Sequence, residues 1–173
     1  MANLEEVILV DERDHPIGFM EKIKAHELGL LHRAFSIFIL NDEGEMLLQK
    51  RAKSKYHSGG LWTNACCSHP RGGETTISAA HRRLEEEMGF DTELQNAFEF
   101  IYRADLDKGL IEHEYDHVFV GNYSRPFVPN EQEVEDWKYI GLPELKAEIV
   151  HKPELFTPWF KIAFERLVTS GNE

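Results

Sequence analysis

Apolar residues in this chain fall into short blocks separated by polar, glycine-bearing turns, and the spacing within each block predicts its geometry. Glu6 to Asp11 (EVILVD) predicts a strand, and the turn at Asp14-His15-Pro16 leads to a second strand through Phe19, completing a hairpin. Lys22 to Leu31 is short and of helical or irregular character. The run AFSIFIL after His32 is continuously apolar and partly β-branched, which predicts a buried strand. Asn41-Asp42-Glu43-Gly44 is a turn, EMLLQKR returns as a strand, and Leu61 to Ser68 is extended after the polar loop Lys53 to Gly60. Ile77, Ala80, Leu84 and Met88 recur at helical spacing until Gly89, so they predict a helix with that face inward. Phe98 to Ala104, His113 to Tyr123 and Val134 to Ile140 predict three more strands. Leu142 to Val150 and Leu155 to Val168 predict helices, with Pro158 near the start of the second. Strands mixed with helices imply an α/β or α+β sandwich.

The length of 173 residues suits one domain, 1–173, able to bury roughly 70% of its unfolded surface. Two counts narrow the function. A formal charge of −12 argues against general nucleic-acid binding. The two cysteines, Cys66 and Cys67, are adjacent, so they form no disulfide framework and are read as reduced thiols. No apolar run approaches the roughly 18 residues of a membrane span, and the first residues carry acids where a signal peptide is basic. The expectation is a cytoplasmic protein with no membrane or nucleic-acid partner, as a monomer or homodimer.

Within the acidic whole, Lys50, Arg51, Lys53 and Lys55 cluster, and Arg71, Arg82 and Arg83 flank the helix that ends in Glu85-Glu86-Glu87. This pattern fits either a small anionic substrate or an exposed basic loop. Arg82 and Arg83 stand four residues before Glu86 and Glu87, on adjoining turns. Carboxylates beside arginines also suit Mg²⁺ and a phosphate group. Glu112, Glu114 and Asp116 alternate along one strand and share a side, which is either the solvent face or the lining of a cavity.

Glu74, Arg82, Leu84, Glu86, Glu87, Gly89 and Phe90 resemble a Nudix box. Ser68 stands at its leading glycine, and Arg83 replaces the acid after the arginine. The preceding Trp62-Thr63-Asn64 and Cys66-Cys67-Ser68-His69-Pro70 resemble the active-cysteine signature of type I isopentenyl diphosphate isomerases, Nudix-fold enzymes that isomerise rather than hydrolyse. Lys22, His26, His32, Arg51, Lys55, Tyr102-Arg103-Ala104, Glu112, Glu114 and Pro158-Trp159 follow that family's order.

The resemblance implies a Nudix-type α/β/α sandwich with a mixed sheet, and interconversion of isopentenyl and dimethylallyl diphosphate in isoprenoid synthesis. It implies a metal site of His26, His32, His69, Glu112 and Glu114 holding Mn²⁺, Zn²⁺ or Mg²⁺, with binding weaker below about pH 6 because histidine ligands must be neutral. Glu87 would hold Mg²⁺ together with the diphosphate, whose oxygens Lys22, Arg51, Lys55, Ser68 and Arg83 would bind. Cys67 and Glu114 would transfer protons on the two faces of the substrate, assisted by Tyr102. Trp159 would turn its π-face to the carbocation, an interaction of about 2 kcal/mol when dry. Cys66 is assigned to packing. His15, His57, His81, His113, His117 and His151 receive no role. Two other functions fit parts of the pattern: a Nudix diphosphate hydrolase and a non-catalytic Nudix-like binding module.

Overall fold

A computed structural model describes residues 5–170. The buried run following His32 forms β3 (His32–Leu40), and the sheet is built around it. Along one edge β3 runs parallel to β8 (Ile111–Asn122), from His32 opposite Glu114 to Leu40 opposite Asn122. Along the other edge it meets, antiparallel, first β1 (Glu6–Val10), then β6 (Cys66–Ser68), then β4 (Met46–Arg51). The hairpin partner β2 (Pro16–Glu21) flanks β1, β5 (Trp62–Thr63) and β9 (Val134–Ile140) flank β4, and β7 (Leu94–Asp105) pairs with β8. Both faces of β3 are covered, which is why its sequence is apolar throughout rather than alternating.

One face packs Phe35, Ile37, Ile39 and Cys66 against Ala80, Leu84 and Met88 of α2 (Thr76–Met88). The opposite face packs Phe38, Met46, Leu48 and Val118 against Leu145 of α3 (Leu142–His151) and Phe160, Ala163 and Phe164 of α4 (Pro158–Ser170). This is the expected α/β/α sandwich with a mixed sheet.

The short segment after β2 is a true helix, α1 (Lys22–Leu28), whose first amides are capped by the Glu21 carboxylate and which ends at Gly29 in the left-handed region. Thr75 caps α2 through the Ser78 amide. Ile77 departs from the expected inward face: it is 37% exposed, and Ala79 occupies the buried position instead. No described helix is long and apolar enough to cross a membrane.

Candidate active site

Three elements carry the metal-ligating candidates to one point. Helix α1 brings Lys22 and His26 one turn apart, β3 begins with His32, and β8 runs alongside with Glu112 and Glu114 turned inward. The alternation on β8 therefore faces a cavity: Glu112, Glu114 and Asp116 are all buried. His69, just past β6, closes the group. Ligand atoms of His26, His32, His69 and Glu112 lie within 4.8 Å of one another, and Glu114 adjoins them, its Oε2 2.9 Å from His69 Nε2.

Hydrogen bonding fixes the tautomers. His26 Nδ1 donates to the Lys22 carbonyl at 2.7 Å and His32 Nδ1 to the Leu30 carbonyl at 2.9 Å, because a carbonyl can only accept. A neutral imidazole at either position then points its Nε2 lone pair at carboxylate oxygen. His26 Nε2 lies 3.0 Å from Glu112 Oε1, and His32 Nε2 lies 3.5 Å from the same oxygen and 3.4 Å from Glu114 Oε2. Lone pair against lone pair is repulsive unless a cation, a proton or a metal ion, sits between them. His32 Nε2 makes no aligned hydrogen bond despite its burial. The donor set of three imidazoles and carboxylate is that of a divalent-metal site, and the residues fit one.

The same packing sets the charges. Burial opposes a charge on His32, but Glu112 and Glu114 outweigh it and raise the imidazole to about 10. Burial drops His69 to about 4, so it is neutral at physiological pH. Burial also raises Glu112, yet the hydrogen bonds of His26, His32 and His57 prevail and hold it well below the usual carboxylate range. Glu114 is likewise lowered, against burial and the neighbouring Glu112 charge, by His32 and His69; Tyr102 donates its hydroxyl to Glu114 Oε1.

The two thiols of β6 diverge. Cys66 Sγ is fully buried and donates to Glu87 Oε2 at 2.8 Å. Cys67 Sγ donates to Asn64 Oδ1 and receives Trp159 Nε1–H, both at 3.0 Å. Burial pushes its thiol up to about 12, so it stays protonated. Cys67, Ser68, His69, Glu112, Glu114 and Trp159 line one cleft with Lys22, Arg51, Lys55 and Arg83 at its wall.

Three of these basic side chains already hold acids, whereas Arg51 donates to the His57 carbonyl. Lys22 Nζ pairs with Glu5 at 2.7 Å, Lys55 with Glu133, and Arg83 Nη2 with Glu87 at 2.8 Å and Glu133 at 3.5 Å. Both expected pairs on α2 form, Arg83 to Glu87 and Arg82 to Glu86, and Arg82 additionally makes a two-pronged bond to Glu74. Trp159 carries the Arg51 guanidinium over its ring at 5.3 Å.

Four residues lining the cleft, Glu5, Tyr56, His57 and Glu133, receive no role in the sequence reading. Glu133 lies on a polar stretch after a proline-rich loop, where nothing in the pattern sets it apart. His57 is one of nine histidines and sits in the loop after β4, yet it is 2% exposed with Nε2 3.1 Å from Glu112 Oε2. Burial lowers it below the ordinary imidazole range against the pull of Glu112. The other unassigned histidines bond elsewhere: His15 to Asp11, His81 to Asp91, His117 to Asp14, His113 to the Gly29 carbonyl and His151 to the Ala147 carbonyl.

A NUDIX domain model matches residues 30–160. Isopentenyl-diphosphate Delta-isomerase 2 of Photorhabdus laumondii is 54% identical over 91% of this chain and 89% of its own length. A protein of the same name in Aromatoleum aromaticum is 50% identical over 95% and 87%. The chain belongs to the isopentenyl-diphosphate Delta-isomerase family. Among solved structures, DR0079 from Deinococcus radiodurans shares the fold with a TM-score of 0.78 at 18% identity, covering 94% of this chain and 98% of that one. A MutT protein from Methanosarcina mazei does so at 0.69 and 17%, over 83% and 96%. This member of the isomerase family is thus a Nudix fold whose Arg83 stands where the Nudix box that it resembles carries an acid.

Proposed function

We propose that this protein interconverts isopentenyl and dimethylallyl diphosphate, with residues 1–173 acting as one Nudix-fold unit in the cytoplasm. The observation that carries the reading is a pair of groups of opposite protonation state in one cleft: a half-buried thiol, Cys67, that keeps its proton, and a buried carboxylate, Glu114, that has lost its own.

The reaction adds a proton to an unactivated terminal alkene and removes one from the carbon beside the diphosphate-bearing carbon, with a tertiary cation between. The site must supply a proton on one face and accept one on the other. Cys67 and Glu114 take these two roles. Asn64 and Trp159 fix the Cys67 sulfur from two sides, and Tyr102 assists the proton transfer by donating a hydrogen bond to Glu114 Oε1 that holds the carboxylate in place. The buried indole of Trp159 walls the cleft with a surface that cannot trap the cation.

Lys22, Arg51, Lys55, Ser68 and Arg83 bind the diphosphate, with Lys22, Lys55 and Arg83 exchanging their present acidic partners for phosphate oxygens. His26, His32, His69, Glu112 and Glu114 hold Mn²⁺, Zn²⁺ or Mg²⁺, and Glu87 holds Mg²⁺ with the diphosphate. The metal at the histidine site, when bound, fixes the Glu114 carboxylate and tunes its basicity.

The test is incubation with isopentenyl diphosphate and Mg²⁺, with products read by proton NMR and phosphate by a colorimetric assay. Dimethylallyl diphosphate should form with no phosphate released. Phosphate or a monophosphate as the main product would replace the isomerase reading with the hydrolase one.

A further inference from the structure

Glu112 uses its two oxygens differently. Oε1 faces the imidazoles of His26 and His32, whereas Oε2 turns away from them toward His57 Nε2 at 3.1 Å. His57 is not among the mutually close ligands His26, His32, His69 and Glu112, and touches that group through Glu112 Oε2. We propose that His57 is a positioning residue of the metal site, donating from Nε2 to Glu112 Oε2 so that Oε1 is held toward the metal.

Four features support this. Ser58 Oγ lies 3.0 Å from His57 Nδ1 and can donate to it, which leaves the proton on Nε2, facing Glu112. Ser58 itself adopts φ 54°, a left-handed conformation that a serine takes only under constraint, and its amide is tied to Asp107 Oδ1 at 2.8 Å. Arg51 Nη2 donates to the His57 carbonyl at 3.0 Å, so the loop is anchored on both sides of the ring. The ring itself is wedged between Tyr56 and Trp159, at centroid distances of 4.3 and 5.5 Å. The His57 contact with Glu112 is short but off the ideal hydrogen-bond angle. Hydrogen bonds in such sites are often poorly aligned before the ligand is bound and tighten in the complex.

A carboxylate ligand whose free oxygen is held by a donor loses less freedom on binding metal, and removal of such a donor typically costs 10–100-fold in metal affinity. His57→Leu removes the donor while retaining bulk, and His57→Gln restores an N–H near the position of Nε2. Zn²⁺ affinity, measured by competition with a chromophoric chelator, should fall about 10–100-fold in His57→Leu and recover most of that loss in His57→Gln. Melting temperatures in chelator should be alike for all three proteins. Parental affinity in His57→Leu, or equal loss in both variants, would overturn the proposal.

A second measurement needs no variant. In ¹⁵N-histidine spectra of the parent, Zn²⁺ should leave His57 as the Nε2–H tautomer while the Nε2 signals of His26 and His32 move to the position of coordinated nitrogen. A coordinated His57 Nε2 would make it a ligand and end the positioning role. The inference rests on the metal-site reading but not on turnover: a parent that binds Zn²⁺ without isomerising removes the proposed reaction alone, and a parent that binds no Zn²⁺ removes both the site and the role of His57.

Discussion

Adjacent residues on a strand point to opposite faces, and Cys66 and Cys67 divide the labour of β6 accordingly. Cys67→Ala should lower kcat by at least about 100-fold, the usual worth of a general acid or base, with circular dichroism and metal content unchanged. Cys66→Ala deletes a buried group and the thiol that bonds Glu87, so it should cost roughly 1–2 kcal/mol of stability and raise the Mg²⁺ concentration needed for half-maximal rate, with kcat nearly retained. Equal loss of kcat in both would mean that the thiols act as a unit. The histidine charges also revise the expected pH response. With its folded value raised from 6.5 to about 10, His32 stabilises the metal-free protein fully below pH 6.5, and that contribution is lost as pH rises toward 10. A metal ion must displace this proton, so Zn²⁺ binding at pH 8 should release about one proton, seen as a calorimetric heat that depends on the buffer's ionisation enthalpy. A buffer-independent heat would show that His32 is already neutral. Metal affinity should therefore keep rising well above the pH 6 suggested by an ordinary imidazole.

At the scale of elements, α2 stops where the sequence marks a stop, and the structure adds a second reason for its glycine. Gly89 has φ 77°, and a Cβ there would lie 2.2 Å from the Val128 carbonyl oxygen. Gly89→Ala should cost at least about 2 kcal/mol, roughly 4–8 °C in Tm, by scanning calorimetry; a change under 1 °C would mean that the loop at Val128 yields freely. Such local rules explain what was legible. The buried run of β3, the turn at Asn41-Gly44 and the cap at Gly89 depend on neighbours in sequence. Where a distant partner decides, the pattern is mute. β7 begins at Leu94 rather than Phe98 because β8 recruits Gln95 and Asn96 into pairing across a bulge, although asparagine is a poor strand former. Alternation on β8 placed Glu112, Glu114 and Asp116 on one side, but only the packing of α1 and the loop bearing His57 over that side decides that it is the inside. His57 was silent because a histidine in a glycine-ended loop carries no periodicity, and its burial depends on Asp107 and Trp159, far along the chain.

Across the whole molecule, an acidic exterior surrounds a cleft whose cations come from α1, the loop after β4 and α2. No one of these segments holds the site. His26 and Glu112, 3.0 Å apart, are separated by 86 residues, and the His32–Glu114 pairing belongs to the parallel register of β3 with β8. Loops of that length close late, since their entropy must be met before the contacts they bring can form, and such non-local pairing slows folding. The metal site is therefore a clock for the end of folding. In stopped-flow refolding with Co²⁺ present, helical ellipticity should rise early while the visible absorption of histidine-bound Co²⁺ grows only with the slowest phase. If the cobalt spectrum instead develops with the first helical signal, the ligands gather before the parallel strands meet, and the site nucleates the fold rather than completing it.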